Sequence, residues 1–330
     1  MNLTKKQIDD LNLELTLEIA PEDYQEAVRK KLAERRRTAE FKGFRKGMVP
    51  ASLIKRVYGE QALVDAVNDV ITTSLDNYIS EQKLHLLGEP LGSENQPEVE
   101  WVEGNSFTFI FDAALSPEVK IEVEAGDTVN KYVISSTAKE KSAMIENIKK
   151  YYEERKEEAK SDEEIEKDVT ERLKEEHRQE AEWRLTKDIR DFYVQKAGLT
   201  LPEAFLKRWL LAANQGKITA EDIEKDFPGF IEDFKWQLVR GSLMEKFGFK
   251  VEHEDLYEAA KAYVTYQYAM YGIGNVPEDM ITEAVGNIMK DRRQLERLHE
   301  QVEDRKVLDK IKETITIKDK KITSEKFREL

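Results

Sequence analysis

From Leu11 to Ile19 apolar residues (Leu11, Leu13, Leu15, Leu17, Ile19) alternate with Asn12, Glu14, Thr16 and Glu18. That period of two predicts a half-buried strand. Ala20-Pro21-Glu22-Asp23 then opens a helix from Tyr24 to about Phe41, with Tyr24, Val28 and Leu32 inward. Ala51 to Tyr58 reads as a short helix broken at Gly59. A longer one follows from Ala62 to Gln82, with Leu63, Val67, Val70, Ile71, Leu75 and Ile79 as its buried stripe. Val99–Val102 and Phe107–Phe111 read as a hairpin turned by Glu103-Gly104-Asn105. Residues 1–115 thus form a small α+β domain, ending at Ser116-Pro117-Glu118.

Residues 116–330 are mainly helical. An extended stretch (Val119, Ile121, Val123, then Val129–Ile134) leads to a helix from about Ala138 to Lys156. Ser161 and Glu164 form a capping-box signal. The helix they start carries Ile165, Val169, Leu173, Ala181, Leu185, Ile189 and Phe192 and ends near Gly198. Pro202 opens a helix with Phe205, Leu206, Trp209 and Leu210, and Pro228 starts another that Gly248 stops. Asp255–Tyr271 is aromatic-rich. Pro277 starts one long helix running through Val302, and the end packs back as Ile315-Thr316-Ile317 and a short helix at Ser324–Leu330.

Charge changes the picture at one place. The chain is acidic overall, net −14, with 36% charged residues. Between Arg29 and Arg56, however, eleven cations face only Glu34 and Glu40, a net of +9. A solvated helix face mixes signs; a single-sign cluster reads as a phosphate-facing patch. At its centre lies Phe41-Lys42-Gly43-Phe44-Arg45-Lys46-Gly47-Met48-Val49-Pro50. Two glycines permit positive φ and Pro50 suits the first turn of a helix. Phe44, Arg45 and Lys46 are left at the tip with no core to join.

The aromatic stretch is the second candidate. Any single ring ordinarily belongs to a core. Tyr263, Tyr266, Tyr268, Met270 and Tyr271 together exceed one helix face, and with Met280 and Ile281 suit a promiscuous apolar binding surface.

Other chemistry is missing. The absence of cysteine fits a reducing compartment and excludes thiolate metal sites. His85, His177, His253 and His299 are scattered, and His299-Glu300-Gln301-Val302-Glu303 misses the zinc-helix pattern at its last position. Gly272-Ile273-Gly274 lacks the third glycine and the strand of a phosphate cradle. Neither a metal nor a cofactor is expected. With no apolar leader and no run of membrane-spanning length, a soluble cytosolic chain is expected, without a membrane partner.

Gly43-Phe44-Arg45-Lys46-Gly47-x-x-Pro50 after a basic helix resembles trigger factor, the bacterial ribosome-associated chaperone family. Val57-Tyr58-Gly59, Leu115-Ser116-Pro117-Glu118-Val119, Leu201-Pro202-Glu203-Ala204-Phe205-Leu206 and Asn275-Val276-Pro277-Glu278-Asp279 extend the likeness over nearly the whole chain, in a form similar to Bacteroidetes members. The resemblance implies an α+β ribosome-binding domain followed by a mainly α-helical, elongated chaperone domain with arm-like helices. It implies docking at the tunnel-exit protein and rRNA of the large ribosomal subunit through Gly43, Phe44, Arg45, Lys46 and Gly47, with Arg36, Arg37 and Lys42 beside them. Unfolded or nascent polypeptides would then be held without ATP. The family's prolyl-isomerase domain has no room at the charged junction Glu153–Ser161, so no isomerase activity is expected. An exposed apolar cradle is also compatible with a homodimer. A second reading, an RNA-binding assembly adaptor holding one folded partner, fits the same loop and helical half.

Overall fold

The computed structural model describes residues 1–155, 161–214 and 216–330. Two compact units result: Met1–Glu118 with Thr200–Gly229, and Val119–Leu199 with Phe230–Leu330. The chain therefore leaves the first unit at 118 and returns to it for thirty residues, 200–229, that the sequence reading places in the helical part.

In the first unit β1 (Asn2–Gln7), β2 (Asn12–Ile19), β3 (Leu91–Gly92) and β4 (Phe107–Ala114) form an antiparallel sheet in the order β1-β2-β4-β3. The alternation along β2 buries Leu13, Leu15, Leu17 and Ile19 against α1 (Pro21–Thr38) and α2 (Ala51–Glu81). β1 has no such pattern to announce it. It is an exposed edge strand, turned onto β2 by the Asp9 carboxylate, which accepts the N–H groups of Leu11 and Asn12, each at 2.8 Å.

Three expectations for this unit need correction. Val99–Val102 is not a strand, and β4 pairs with β2 and β3 instead. The side chain of Gln96 takes the ladder positions on β4: its Oε1 accepts from the Ile110 N–H at 2.7 Å and its Nε2 donates to the Thr108 carbonyl at 3.0 Å. Trp101 joins by its ring, 5.3 Å from Phe107 and 6.1 Å from Phe109. Nor does Gly59 break a helix. α2 runs straight through it, the helix-propensity cost of ~1 kcal/mol being outweighed by burial of Ile54, Leu63, Ala66 and Val67. Pro228, finally, lies inside α6 (Ala220–Phe247) instead of starting it. The true start is at Thr219 and Asp222, whose side chains and N–H groups bond reciprocally.

What ties residues 200–229 to the sheet is α5 (Glu203–Ala213). Arg208 reaches Asp112 at 2.8 Å, the Gly92 carbonyl at 3.1 Å and Glu94 at 3.4 Å. Beside it, Trp209 lies directly over Gly88, where a Cβ would fall 2.5 Å from the indole Nε1.

The second unit pairs β5 (Thr128–Ser135) with β6 (Thr316–Thr323) in parallel. Around them lie α3 (Ala138–Arg155), α4 (Asp162–Ala197), the latter part of α6, α7 (His253–Met270), α8 (Glu278–Lys290), α9 (Arg292–Thr314) and α10 (Ser324–Phe327). α4 matches its sequence signals. Ser161 and Glu164 make the reciprocal cap, and Gly198 ends it in the left-handed region at φ 58°. Its buried stripe runs through Tyr193 and not the half-buried Phe192, and His177 fills the gap between Leu173 and Ala181. That histidine is 3.3 Å from Glu140, which also accepts from Ser324 and Arg328, each at 2.6 Å. Burial pushes the Glu140 carboxyl up, but these hydrogen bonds and charges outweigh it and hold the group below its usual range.

The same competition ends in the same direction at Asp127. Desolvation raises its carboxyl, and Lys196 (2.8 Å), the Glu124 N–H (3.0 Å) and Tyr193 (2.8 Å) together outweigh that effect. In turn Tyr193 is driven up by burial and its bond to Asp127. Leu185, Ile189, Trp236, Val239, Leu243, Val307 and Ile311 make the core these anchors surround. The single helix expected from Pro277 to Val302 is two. Asp291 is extended and its Oδ1 accepts from the Arg293 and Gln294 N–H groups, both at 3.0 Å, so a new helix is capped there. Of the charged junction Glu153–Ser161, residues 156–160 lie outside the described residues.

Gly88→Ala puts a methyl into the indole at a positive φ of 83°, and we expect a loss of ~2 kcal/mol or more in urea denaturation. The part due to overlap with the indole should disappear in a Trp209→Ala background, leaving about 1 kcal/mol of backbone strain; equal cost in both backgrounds would refute the contact.

Candidate functional sites: the basic loop and the aromatic hairpin

The loop between α1 and α2 is built on one buried residue. Val49 is fully buried with Ala39 and Ile54, and Leu32, Phe41, Leu53 and Tyr58 pack against the three. The Phe41 ring meets Tyr58 edge-on at 6.2 Å, and the Arg35 guanidinium lies 5.8 Å from the centre of the same tyrosine. Between these fixed ends the chain makes two successive turns. The Phe44 N–H donates to the Phe41 carbonyl at 3.1 Å, and the Met48 N–H to the Arg45 carbonyl at 2.9 Å. Gly43 (φ 93°) and Gly47 (φ 82°) each hold the position of their turn that an L side chain resists. A Cβ at either would touch nothing within 4 Å, so backbone conformation and not crowding demands glycine.

Phe44, Arg45, Lys46, Lys42, Arg36 and Arg37 are all exposed on or beside these turns. Lys46 has Glu40 at 3.7 Å, an exposed pair of small consequence. Arg36 also acts within the loop, its Nε donating to the Val49 carbonyl at 2.8 Å and bracing the returning chain. One exposed residue has no counterpart among the sequence candidates. Met48 is 68% exposed; its neighbour Val49 takes the inward place, so the outward one falls to Met48.

The aromatic segment lies on α7 and the turn after it. Ala260, Val264, Val285, Ile288 and Leu298 form the core of the α7–α8–α9 cluster. Tyr268 and Ile281 are half-buried against that core, whereas Tyr263, Tyr266, Met270, Tyr271 and Met280 are exposed, Tyr271 to 83%. Ile273, in the Gly272-Ile273-Gly274 turn, is exposed with them. Two grooves border α7, one of about 440 Å³ and one of about 380 Å³.

Among the described residues no cluster of histidine and carboxylate groups could hold a metal, and no helix is long and apolar enough to cross a membrane. Two family models match the chain: bacterial trigger factor protein over residues 1–148, and the probable C-terminal domain of trigger factor over 181–330. The chain belongs to the trigger factor family.

Between the two matched regions lie residues 149–180, of which the described ones are the end of α3 and the first half of α4. Trigger factor of Francisella tularensis subsp. novicida (strain U112) is 30% identical over 153 residues, covering 46% of this chain and 34% of that protein. That of Citrifermentans bemidjiense is 33% identical over 131 residues, 40% and 29% of the two chains. The matched stretch is thus about a third of the length of these curated relatives. A solved structure described as "Promiscuous Substrate Recognition in Folding and Assembly Activities of the Trigger Factor Chaperone" shares the fold. Its TM-score is 0.53 at 13% identity, over 94% of this chain and 99% of that one.

Arg36→Ala frees the Val49 carbonyl, and we expect a loss of ~1 kcal/mol in stability with faster amide hydrogen exchange at Met48 and Phe44. Arg37→Ala, which removes an equal charge, should leave both unchanged; identical behaviour of the two variants would show that Arg36 acts by charge alone.

Proposed function

We propose that this chain is an ATP-independent chaperone that docks on the large ribosomal subunit at the tunnel exit and holds unfolded or nascent polypeptides. The observation that carries the reading is the outward display of Phe44, Arg45 and Lys46 on two glycine turns closed over buried Val49. Cations suit rRNA phosphate and acidic protein groups, and an exposed ring between them suits a small apolar recess. Gly43 and Gly47 shape this anchor, and Arg37 and Lys42 add to its field. Arg36 adds charge and holds the loop in place. Cytosolic location follows from a ribosomal partner.

Client binding falls to the α7 region, through Tyr263, Tyr266, Met270, Tyr271 and Met280, with Tyr268 and Ile281 forming the floor. Exposed tyrosine and methionine give area without strict geometry. That favours weak, reversible contacts, as release without ATP requires. Residues 1–115 as the docking domain and 116–330 as the chaperone domain remain our division by function, although 200–229 pack with the first unit. Because residues 149–180 leave no room for a further domain, we assign the chain no isomerase activity.

Replacing Phe44, Arg45 and Lys46 together by alanine should reduce co-sedimentation with large subunits at least about tenfold. Arg45→Ala alone should flatten the salt dependence of binding by roughly one charge, and Phe44→Ala should weaken binding without changing that slope. Unaltered pelleting of the triple variant would remove the loop from the mechanism. In a prolyl-peptide assay the full chain should give no rate above the uncatalysed one; catalysis inhibited by a proline-peptide competitor would reverse the assignment.

A further inference from the structure

In a chain with 36% charged residues, Ala262 to Pro277 is a run of sixteen without one. The two grooves beside α7 are lined by seventeen residues, and none is Asp, Glu, Lys or Arg. Grooves elsewhere in the second unit differ: the one beside Trp183 carries five charged side chains, and the one between α3 and α4 carries Asp168 and Arg172. The lining beside α7 is thus neutral where those of two other grooves of the same unit are charged.

The polar groups that remain are of one kind. The larger groove presents Tyr263 and Gln267 of α7 and Tyr271 at its C-cap, at four-residue spacing, together with Asn287 of α8 and Gln294 of α9. Val264, Tyr268 and Ile288 supply its apolar floor. Amide side chains both donate and accept, as do phenols, whereas lysine and arginine only donate and carboxylates only accept. Gln267 Nε2 donates to the Tyr263 hydroxyl at 2.6 Å. That bond leaves the Gln267 Oε1, its second N–H and the phenolic proton for a ligand. Donors and acceptors interleaved over an apolar floor match one chemical feature common to all unfolded chains, the peptide backbone.

We propose that this groove grips an extended polypeptide segment by its backbone N–H and C=O groups, with Gln267, Asn287 and Gln294 as the reading side chains. The proposal rests on the chaperone reading above and names what that site binds. An extended segment entering an apolar groove loses water from its amides, and each one left unpaired weakens binding by its lost hydration. Neutral amides remove that penalty for any sequence, and no groove charge selects against a client of either sign. The occupant is thus an extended polypeptide segment, held by its backbone without regard to the charge or order of its side chains.

The test uses the full chain and a short fluorescein-labelled peptide of alternating leucine and serine with blocked ends. It is compared with two forms that are N-methylated at odd or at even positions. Side chains are the same in all three, while donors are removed from one backbone edge at a time. By fluorescence polarisation the parent peptide should bind, and at least one methylated form should bind about tenfold more weakly. Asn287→Leu with Gln294→Leu, both exposed positions, should bind the parent about tenfold more weakly and no longer distinguish the three peptides. Equal binding of all peptides to the unaltered chain, or unchanged discrimination by the double variant, would overturn backbone reading. So would concentration-dependent self-association that the parent peptide fails to disrupt, since a second copy would then fill the groove. If the unaltered chain still suppresses aggregation of an unfolded protein in any of these cases, the chaperone reading stands while this inference falls. Loss of peptide binding and aggregation suppression together would sink both.

Discussion

Burial of Val49 is the contact on which the basic loop depends. With Ala39 and Ile54 it closes a small apolar cluster that joins the end of α1 to the start of α2. Everything between is constrained by that closure. The span is short, so the chain must turn twice, and each turn needs glycine at its left-handed position. Residues that cannot join the cluster are forced outward. Phe44 and Met48 are therefore exposed for the same reason that Val49 is buried, and Arg36 reinforces the arrangement by bonding the Val49 carbonyl. A flexible loop with the same composition would lose conformational entropy on docking, about 1–2 kcal/mol per residue fixed; this one is already shaped.

Where a local signal has no competitor, the sequence can be read directly. Alternation marks β2, the Ser161–Glu164 pair marks the start of α4, and single-sign charge with paired glycines marks the loop. Failures come where a side chain takes over from backbone. Gln96 satisfies β4 in place of a strand, so the apolar residues at 99–102 only mimic one. Asp291 caps a helix in the middle of a continuous apolar pattern. Gly59 and Pro228 are breakers by propensity, yet tertiary burial on α2 and an earlier cap on α6 override them. Residues 200–229 return to the first unit through contacts distant in sequence, Arg208 with Asp112 and the Trp209 indole over Gly88, and no local pattern encodes such a match.

The candidate sites are legible to different degrees for the same reason. Charge clusters survive folding, because cations without a core to enter stay on the surface. Aromatic residues do not announce their side. Tyr268 and Tyr266 are two positions apart on α7, and one is half-buried on the cluster while the other is exposed. Only packing against Val285 and Ile288 decides between them, and that depends on how α8 crosses α7.

The two sites also divide the physics between them. Contacts available to the exposed Arg45 and Lys46 are ionic, and on the proposed reading they are strengthened at low salt and directed at a fixed polyanion. Those available around Tyr263 and Tyr271 are neutral, and screening leaves them untouched. Had the hairpin carried the chain's average density of acids, basic clients would be held tightly and acidic ones repelled, and release would depend on ionic strength. On the proposed reading, keeping charge out of Ala262–Pro277 lets one acidic protein be anchored electrostatically through one site while its grip on a client stays indifferent to the client's charge. The neutral run is for this reason as much a functional feature as the basic one. It is harder to notice, because it consists of what the rest of the sequence has and this stretch lacks.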